Sequence, residues 1–263
     1  MPADRAAGDV INAYSSARSQ PAGQGLGLVS LSRGAIMATS ALAFWRGQIA
    51  GREAVFVESG AGKVNAGIAT TLLLDRFGCR ALMLCGVAGG LDPALGVGDV
   101  VIATSNIQHD YGLEKEDGYV HIQPGSRPSL GGDWAPGYSV SEELAGRLQA
   151  AVTGLVLEPL PDTVGAALRT PTVHFGAILT GDSFVNSERT RRRLREQFGA
   201  HAVEMEGGAV AQVARRWGDD IPVVNVRCLS DLAGAESHLD FRAFLPVASR
   251  YASKVAHRLA PVI

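Results

Sequence analysis

Long uninterrupted apolar runs are missing from this chain. None of its 263 residues lies in a stretch approaching the roughly 18–20 apolar residues of a membrane span. The opening MPADRAAGDV has no apolar core, so it does not read as a secretory signal. Charge of one sign is also missing. A net charge of -2 leaves no basic footprint for nucleic acid or for an anionic membrane surface. Cysteine is scarce, with only Cys79, Cys85 and Cys228. That odd count with no metal-like spacing excludes a disulfide framework and a cysteine zinc site. Two of the three lie in or beside apolar runs, where a thiol packs as a small hydrophobe, and a cytoplasmic protein is expected. No internal repeat occurs, and the only biased tract is an Ala/Ser/Gly/Gln-rich stretch over 1–25, read as mobile.

Residues 26–263 read as one domain. The chain is 46% hydrophobic and 19% charged, enough to build a large core. Its 32 glycines point to tight turns and close backbone approaches. Apolar strand-like runs alternate with helical patterns. AVFVE (54–58), ALMLCG (81–86), DVVIAT (99–104), VHFGAILTG (173–181) and IPVVNVRCLS (221–230) read as strands. KVNAGIATTLLLDRF (63–77) reads as a helix closed by Gly78, and SVSEELAGRLQAAV (139–152) as one opened by a capping box of Ser139 and Glu142. SERTRRRLREQF (187–198) is a basic surface helix, and a last helix covers about 240–258. Strands apolar on both faces and separated by helices imply a sheet covered on both sides, an α/β sandwich.

Two glycine clusters invite nucleotide readings and fail them. In SGAGKVNAG (59–67) the spacing is wrong for a phosphate loop, and Val64 stands where a magnesium-binding hydroxyl belongs. GVAGG (86–90) follows a strand without the dinucleotide pattern. It reads as a turn, either plain or with amides facing a ligand at the strand's carboxyl end. HAVEMEGGAVAQVARRW (201–217) is stranger, because Glu204 and Glu206 sit where a strand passes into an amphipathic helix. Solvated surface is the ordinary fate of such acids.

Six motifs in order, SGAGKVNAGIATTLLLDRFG, GVAGGLDPALGVGDVV, HDYG, LTGDSFVNSE, AVEMEGGAVAQVA and VRCLSDLAG, resemble the nucleoside phosphorylase/nucleosidase superfamily. The similarity is greatest to its 5′-methylthioadenosine/S-adenosylhomocysteine nucleosidase branch and covers roughly 43–258. The resemblance implies a three-layer α/β/α sandwich around a twisted mixed β-sheet, a homodimer, no metal and no organic cofactor. It implies release of adenine from a small-molecule 5′-substituted adenosine through a cationic sugar. By the same resemblance Glu206 bonds the ribose 2′-hydroxyl and Asp231 protonates the purine at N7, Asp231 otherwise reading as a helix N-cap. Met205 packs on the sugar, Phe184 stacks on the base, and the Val185 backbone pairs with the purine edge. Ser230 orients Asp231, while Gly89, Val87 and Arg227 line the substrate site. His109 and Asp110 lie in a loop near the dimer interface, with Tyr119 a candidate for the 5′ pocket. Glu204 receives no role.

Phosphorylases of the superfamily hold phosphate with arginines, one on the strand entering GVAGG. Here that strand carries Met83 and Leu84, with Arg80 too far upstream, so water is the expected acceptor. The front end departs from the pattern. Nucleosidases of this branch end their first strand in a turn whose glutamate activates water. The only similar run, LGLVSLSRGA (26–35), has no carboxylate, and the first acids downstream of it are Glu53 and Glu58. Three readings stay open: a nucleosidase slowed by this front end, a purine nucleoside phosphorylase using Arg33, and a nucleoside-binding protein without turnover.

Overall fold

The computed structural model describes residues 9–13, 29–31, 36–38, 42–126, 136–161, 169–218, 221–233 and 241–263. The chain begins with strands Asp9–Ala13 (β1), Val29–Leu31 (β2), Met37–Ala38 (β3), Ala43–Ile49 (β4) and Arg52–Val57 (β5). Helix Lys63–Phe77 (α1) precedes Leu82–Gly90 (β6), Val100–Gln108 (β7) and the hairpin Gly112–Lys115 (β8) and Gly118–His121 (β9). Then come Tyr138–Ser139 (β10), Glu142–Val152 (α2), Val173–Thr180 (β11), Glu188–Phe198 (α3) and Ala202–Glu204 (β12). Gly207–Trp217 (α4), Val223–Asp231 (β13) and Phe241–Leu259 (α5) complete the fold. Among the described residues no helix is long and apolar enough to cross a membrane.

All strands but β8 and β9 join one mixed sheet. Its layering follows from period-two alternation. Along β6, Leu82 and Leu84 pack toward α1 and α4, while Met83 and Cys85 pack toward α2 and α5. Along β5, Val55 and Val57 join the first core and Ala54 and Phe56 the second. Helices therefore cover both faces, in three layers. The sheet also curls on itself. β13 pairs with both β6 and β7, β7 with β11, β11 with β12, and β12 back with β6. This five-strand ring encloses Ala88, Val101, Ile178 and Leu229. The three cysteines are buried and form no disulfide, and burial pushes the Cys85 thiol up to about 12, as suits packed rather than reactive sulfur.

Helix α1 ends on Gly78 in the left-handed conformation, as its sequence predicts (φ 62°). Four other expectations need correction. Ser141, not Ser139, caps α2, its Oγ accepting the Leu144 N–H at 3.3 Å; Ser139 is spent on β10, paired with β7. GVAGG is not a turn but the end of β6. Gly89 stands opposite Asp231 and Val203, and a Cβ on it would come within 3.0 Å of Ala233 Cβ and 3.1 Å of Asp231 Oδ1. Close strand approach, not turn geometry, calls for glycine there. LGLVSLSRGA does not supply the first central strand. Its β2 pairs antiparallel with β4, because the short link 32–42 leaves no room for the crossover a parallel neighbour needs. The central place between β5 and β6 goes instead to β1, so the stretch 1–25 read as mobile contains a parallel strand.

Candidate functional site

The acids that looked gratuitous in sequence are both buried: Glu204 is 5% and Glu206 6% exposed. β12 ends at Glu204, and α4 begins after Glu206, its N-cap residue. Glu206 does not cap its own helix. Glu204 does so in its place, its carboxylate accepting the Glu206 N–H at 3.0 Å and the Gly207 N–H at 2.9 Å. An anion at a helix N-terminus also meets the positive end of the helix dipole. Glu204 further accepts the Thr180 hydroxyl and pairs with Arg227 Nη2. With one acid anchoring the helix, the other is free to point elsewhere. Glu206 Oε1 accepts the Gly62 N–H at 2.8 Å, and Oε2 lies 3.3 Å from Arg227 Nη1. Burial raises the Glu206 pKa, opposed by Arg227 and reinforced by Glu204.

Arg227 is buried to 2% exposure: Nε donates to Asn225 Oδ1 at 2.8 Å, Nη1 faces the Val87 carbonyl and Glu206, and Nη2 is ion-paired with Glu204 without a well-aligned hydrogen bond. Asn225 in turn donates to Asn106 Oδ1 at 2.9 Å. Sequence reasoning passed over Asn225, Thr180 and the anchoring role of Glu204. A signal was present in VVNVRC: Asn225 and Arg227 are two apart, hence on one face of an otherwise apolar strand.

Asp231 is the last residue of β13 and 6% exposed. A bulge between Leu229 and Asp231 shifts the register and sets Asp231 opposite Gly89. Gly89 is opposite Val203, so two strand spacings, about 10 Å, separate Asp231 from the segment bearing Glu204 and Glu206. Ser230 Oγ donates to Asp231 Oδ2 at 2.9 Å and the Ala233 N–H to Oδ1 at 2.7 Å. Burial nonetheless raises the Asp231 pKa, with these two bonds opposing it. No partner cation faces it among the described residues, so nothing beyond these two bonds offsets the effect of burial.

The loop 181–187 spans the two acids. Its Gly181 N–H bonds the Glu204 carbonyl at 3.0 Å and its Ser187 N–H the Ala233 carbonyl at 3.1 Å. Phe184 within it is 68% exposed, which disposes of an ordinary core residue, while Val185 packs inward against the Leu179 and Val203 cluster. Met205 is half-buried between the two acids, as are Val87 and Gly89 on β6. The structure thus brings Glu206, Met205, Asp231, Ser230, Val87, Gly89, Phe184 and Val185 to one rim, with Arg227 joined to it through the glutamates. Asp110 reaches the same rim, its Oδ2 accepting the Asp182 N–H at 2.9 Å, whereas Tyr119 stays on the β8–β9 hairpin against His121. Arg33 lies outside the described residues, Arg80 is exposed, and Met83 and Leu84 are buried. Among the described residues no three His, Cys, Asp or Glu side chains group as metal ligands would.

The sequence model of the phosphorylase superfamily matches residues 33–261. The 5′-methylthioadenosine/S-adenosylhomocysteine nucleosidase of Mycobacterium tuberculosis is 44% identical over 220 residues, 84% of this chain and 86% of that protein. The enzyme of the same name from Bacillus subtilis is 38% identical over 213 residues, 81% and 82% of the two chains. Among solved structures, the nucleosidase of Colwellia psychrerythraea in complex with adenine superposes with a TM-score of 0.71 at 28% identity, covering 97% of this chain and 94% of that one. The futalosine hydrolase of Helicobacter pylori gives 0.70 at 26% identity, covering 89% of each.

Proposed function

Because the chain belongs to the phosphorylase superfamily, we propose that it hydrolyses the N-glycosidic bond of 5′-thioadenosines such as 5′-methylthioadenosine and S-adenosylhomocysteine, releasing adenine. One observation carries the reading. Two buried carboxyls, Glu206 beside a guanidinium and Asp231 without a cation, lie at the two ends of the loop that bears the exposed ring of Phe184. Burial raises both pKa values, but only Glu206 has a cation opposing the rise, so of the two Asp231 is better placed to carry the proton and Glu206 to carry the charge.

In this reading adenine stacks on Phe184 and pairs with the Val185 backbone. As the C1′–N9 bond breaks, its electron pair moves into the purine and Asp231 delivers a proton to N7. Positive charge grows on the sugar, and Glu206, bonded to the 2′-hydroxyl, stabilises that charge more than it stabilises bound substrate. The oxygen of a water then bonds to the cationic C1′ and that water releases one proton to solvent. Ser230 holds Asp231, Met205 lies along the ribose, and Gly89 leaves the acid its space. Water is preferred over phosphate because the strand entering the site is apolar and Arg227 is engaged by the glutamates. Where β1 ends, Ala13 stands level with Cys85 and is followed by Tyr14, Ser15 and Ser16, none of them a carboxylate. The resemblance implies a water-activating glutamate after the first strand of relatives, so slower hydrolysis than theirs is expected here.

The reading extends to a homodimer. Val64 (74%) and Ile68 (50%) are exposed one turn apart on α1, and the neighbouring Lys63 is bonded to Asp110, beside the exposed Tyr111. Such an apolar surface suits a second copy. The cytoplasm, where thiols stay reduced, is the matching compartment for cysteines outside disulfides. Incubating purified protein with 5′-methylthioadenosine, with and without phosphate, tests the reaction. Adenine with free 5-methylthioribose is expected in both arms. A sugar 1-phosphate would make the chain a phosphorylase, and binding without product would make it a nucleoside-binding protein.

A further inference from the structure

Lys63 opens α1 and joins three segments of the rim. Its Nζ lies 2.8 Å from Asp110 Oδ1 and 3.3 Å from Asp182 Oδ2, and its N–H lies 3.4 Å from Asp182 Oδ1. Asp110 Oδ2 accepts the Asp182 N–H at 2.9 Å, which closes the network. The preceding residue, Gly62, is the N-cap of α1 at φ 98°, a conformation that favours glycine, and it supplies no side-chain cap. Its N–H serves Glu206 Oε1 instead. The first amides of α1 thus bind carboxylates from two other segments. Burial alone would lower the Lys63 pKa, but Asp110 and Asp182 outweigh it and leave it raised, so the ammonium stays charged.

Ion pairs this open to water, with Lys63 18%, Asp110 31% and Asp182 59% exposed, contribute little to global stability. Their geometry points to a local task. We propose that Lys63, with Asp110 and Asp182, is a positioning group for Glu206, pinning the start of α1 so that the Gly62 N–H stays on the carboxylate. The inference rests on Glu206 being the sugar-binding carboxylate. Gly62 and Arg227 each take one oxygen of Glu206 and so fix its plane. The same ammonium holds Asp182 in the loop bearing Phe184, which keeps the adenine platform and the sugar contact at a constant separation. Misplacement of a reacting contact by about 1 Å can cost on the order of 10²-fold in rate.

The test compares single-turnover adenine release from 5′-methylthioadenosine by the parent chain, Lys63→Met, Lys63→Arg, Asp110→Asn and Glu206→Gln. Lys63→Met is expected to slow release by about 10–100-fold, with the Kd for a 5′-thioadenosine analogue and the melting temperature nearly unchanged. Lys63→Arg should recover part of the rate, and Asp110→Asn should lose part of it. The acid limb of the rate should move to higher pH in Lys63→Met. Glu206 faces Arg227 from β13, Glu204 from β12 and the Gly62 amide from α1, and loss of that amide weakens support for its ionised form. A scaffold role alone would leave the limb in place. Should Lys63→Met fail to fold, Asp110→Asn decides by the same two readouts. Parent-like rates and limbs in the folded variants, with Glu206→Gln still impaired, overturn the positioning role and leave the function standing. Parent-like release by Glu206→Gln overturns the sugar-binding role of Glu206 and the positioning role with it, whereas absence of adenine release by the parent chain overturns the function itself.

Discussion

Glu204→Gln isolates the acid that anchors rather than reacts. Four donors converge on the Glu204 carboxylate: the Thr180 hydroxyl, the Glu206 and Gly207 amides, and the Arg227 guanidinium. A glutamine amide fills the same space but turns one acceptor oxygen into a donor. Thr180 cannot easily reverse its hydroxyl to compensate, since its Oγ1 already accepts the Gly208 N–H at 2.7 Å. The substitution thus leaves at least one buried donor unmatched and deprives a guanidinium of 2% exposure of one of its two carboxylates. Removing one partner of a buried pair costs about 3–5 kcal/mol. For a domain of this size each kcal/mol lowers the melting temperature by about 2–4 °C, so a fall of roughly 6–20 °C is expected. Thermal and urea unfolding near pH 7, with Glu206→Gln as a companion, measure it. The companion should lose less, because Glu206 engages fewer protein donors. A Glu204→Gln variant that melts within about 2 °C of the parent would refute the anchoring account.

The remaining predictions concern chemistry. Asp231→Asn should abolish adenine release with an unchanged circular dichroism spectrum, because an amide cannot protonate N7; parent-like turnover would remove Asp231 from the mechanism. Glu206→Gln should lower kcat more than it raises KM, and a 2′-deoxy substrate should be comparably handicapped; an effect on KM alone would mean uniform binding. Activity should be lost as pH falls through the Glu206 pKa, which burial raises above the usual glutamate range, and lost again as pH rises through the raised pKa of Asp231. A pH–rate profile with no acid limb above the ordinary glutamate range would contradict the first assignment. The parent chain should hydrolyse 5′-methylthioadenosine about 10²–10⁴-fold more slowly than relatives with a glutamate after their first strand, yet bind a 5′-thioadenosine analogue in titration calorimetry. Rates like those of such relatives would show that another group activates water, and absence of binding would show a broken pocket.

Local chemistry alone determined much of this molecule. The span 63–77 and its Gly78 stop are written in residue types whose preferences act within one turn, and the alternation through Leu82, Met83, Leu84 and Cys85 declared a sheet covered on both sides. The order of six motifs carries the resemblance that singles out Glu206, Asp231 and Phe184. Tertiary structure decided what depends on distant neighbours. GVAGG looks like a turn until β12 and β13 close against β6, where a Cβ on Gly89 would crowd Ala233 and the Asp231 carboxylate. The run 26–35 looks like the first central strand, but its short connection to β4 dictates antiparallel pairing at the edge and leaves the centre to Asp9–Ala13. Most of all, no local rule separates Glu204 from Glu206. They are two residues apart on a strand-to-helix seam, with the same charge and the same burial. What divides them is that Arg227, Thr180 and the first amides of α4 converge on one, whereas the other is met by a single amide from the start of α1 and one edge of the same guanidinium. Such convergence belongs to the packing of β11, β13, α1 and α4, and a linear sequence does not contain it.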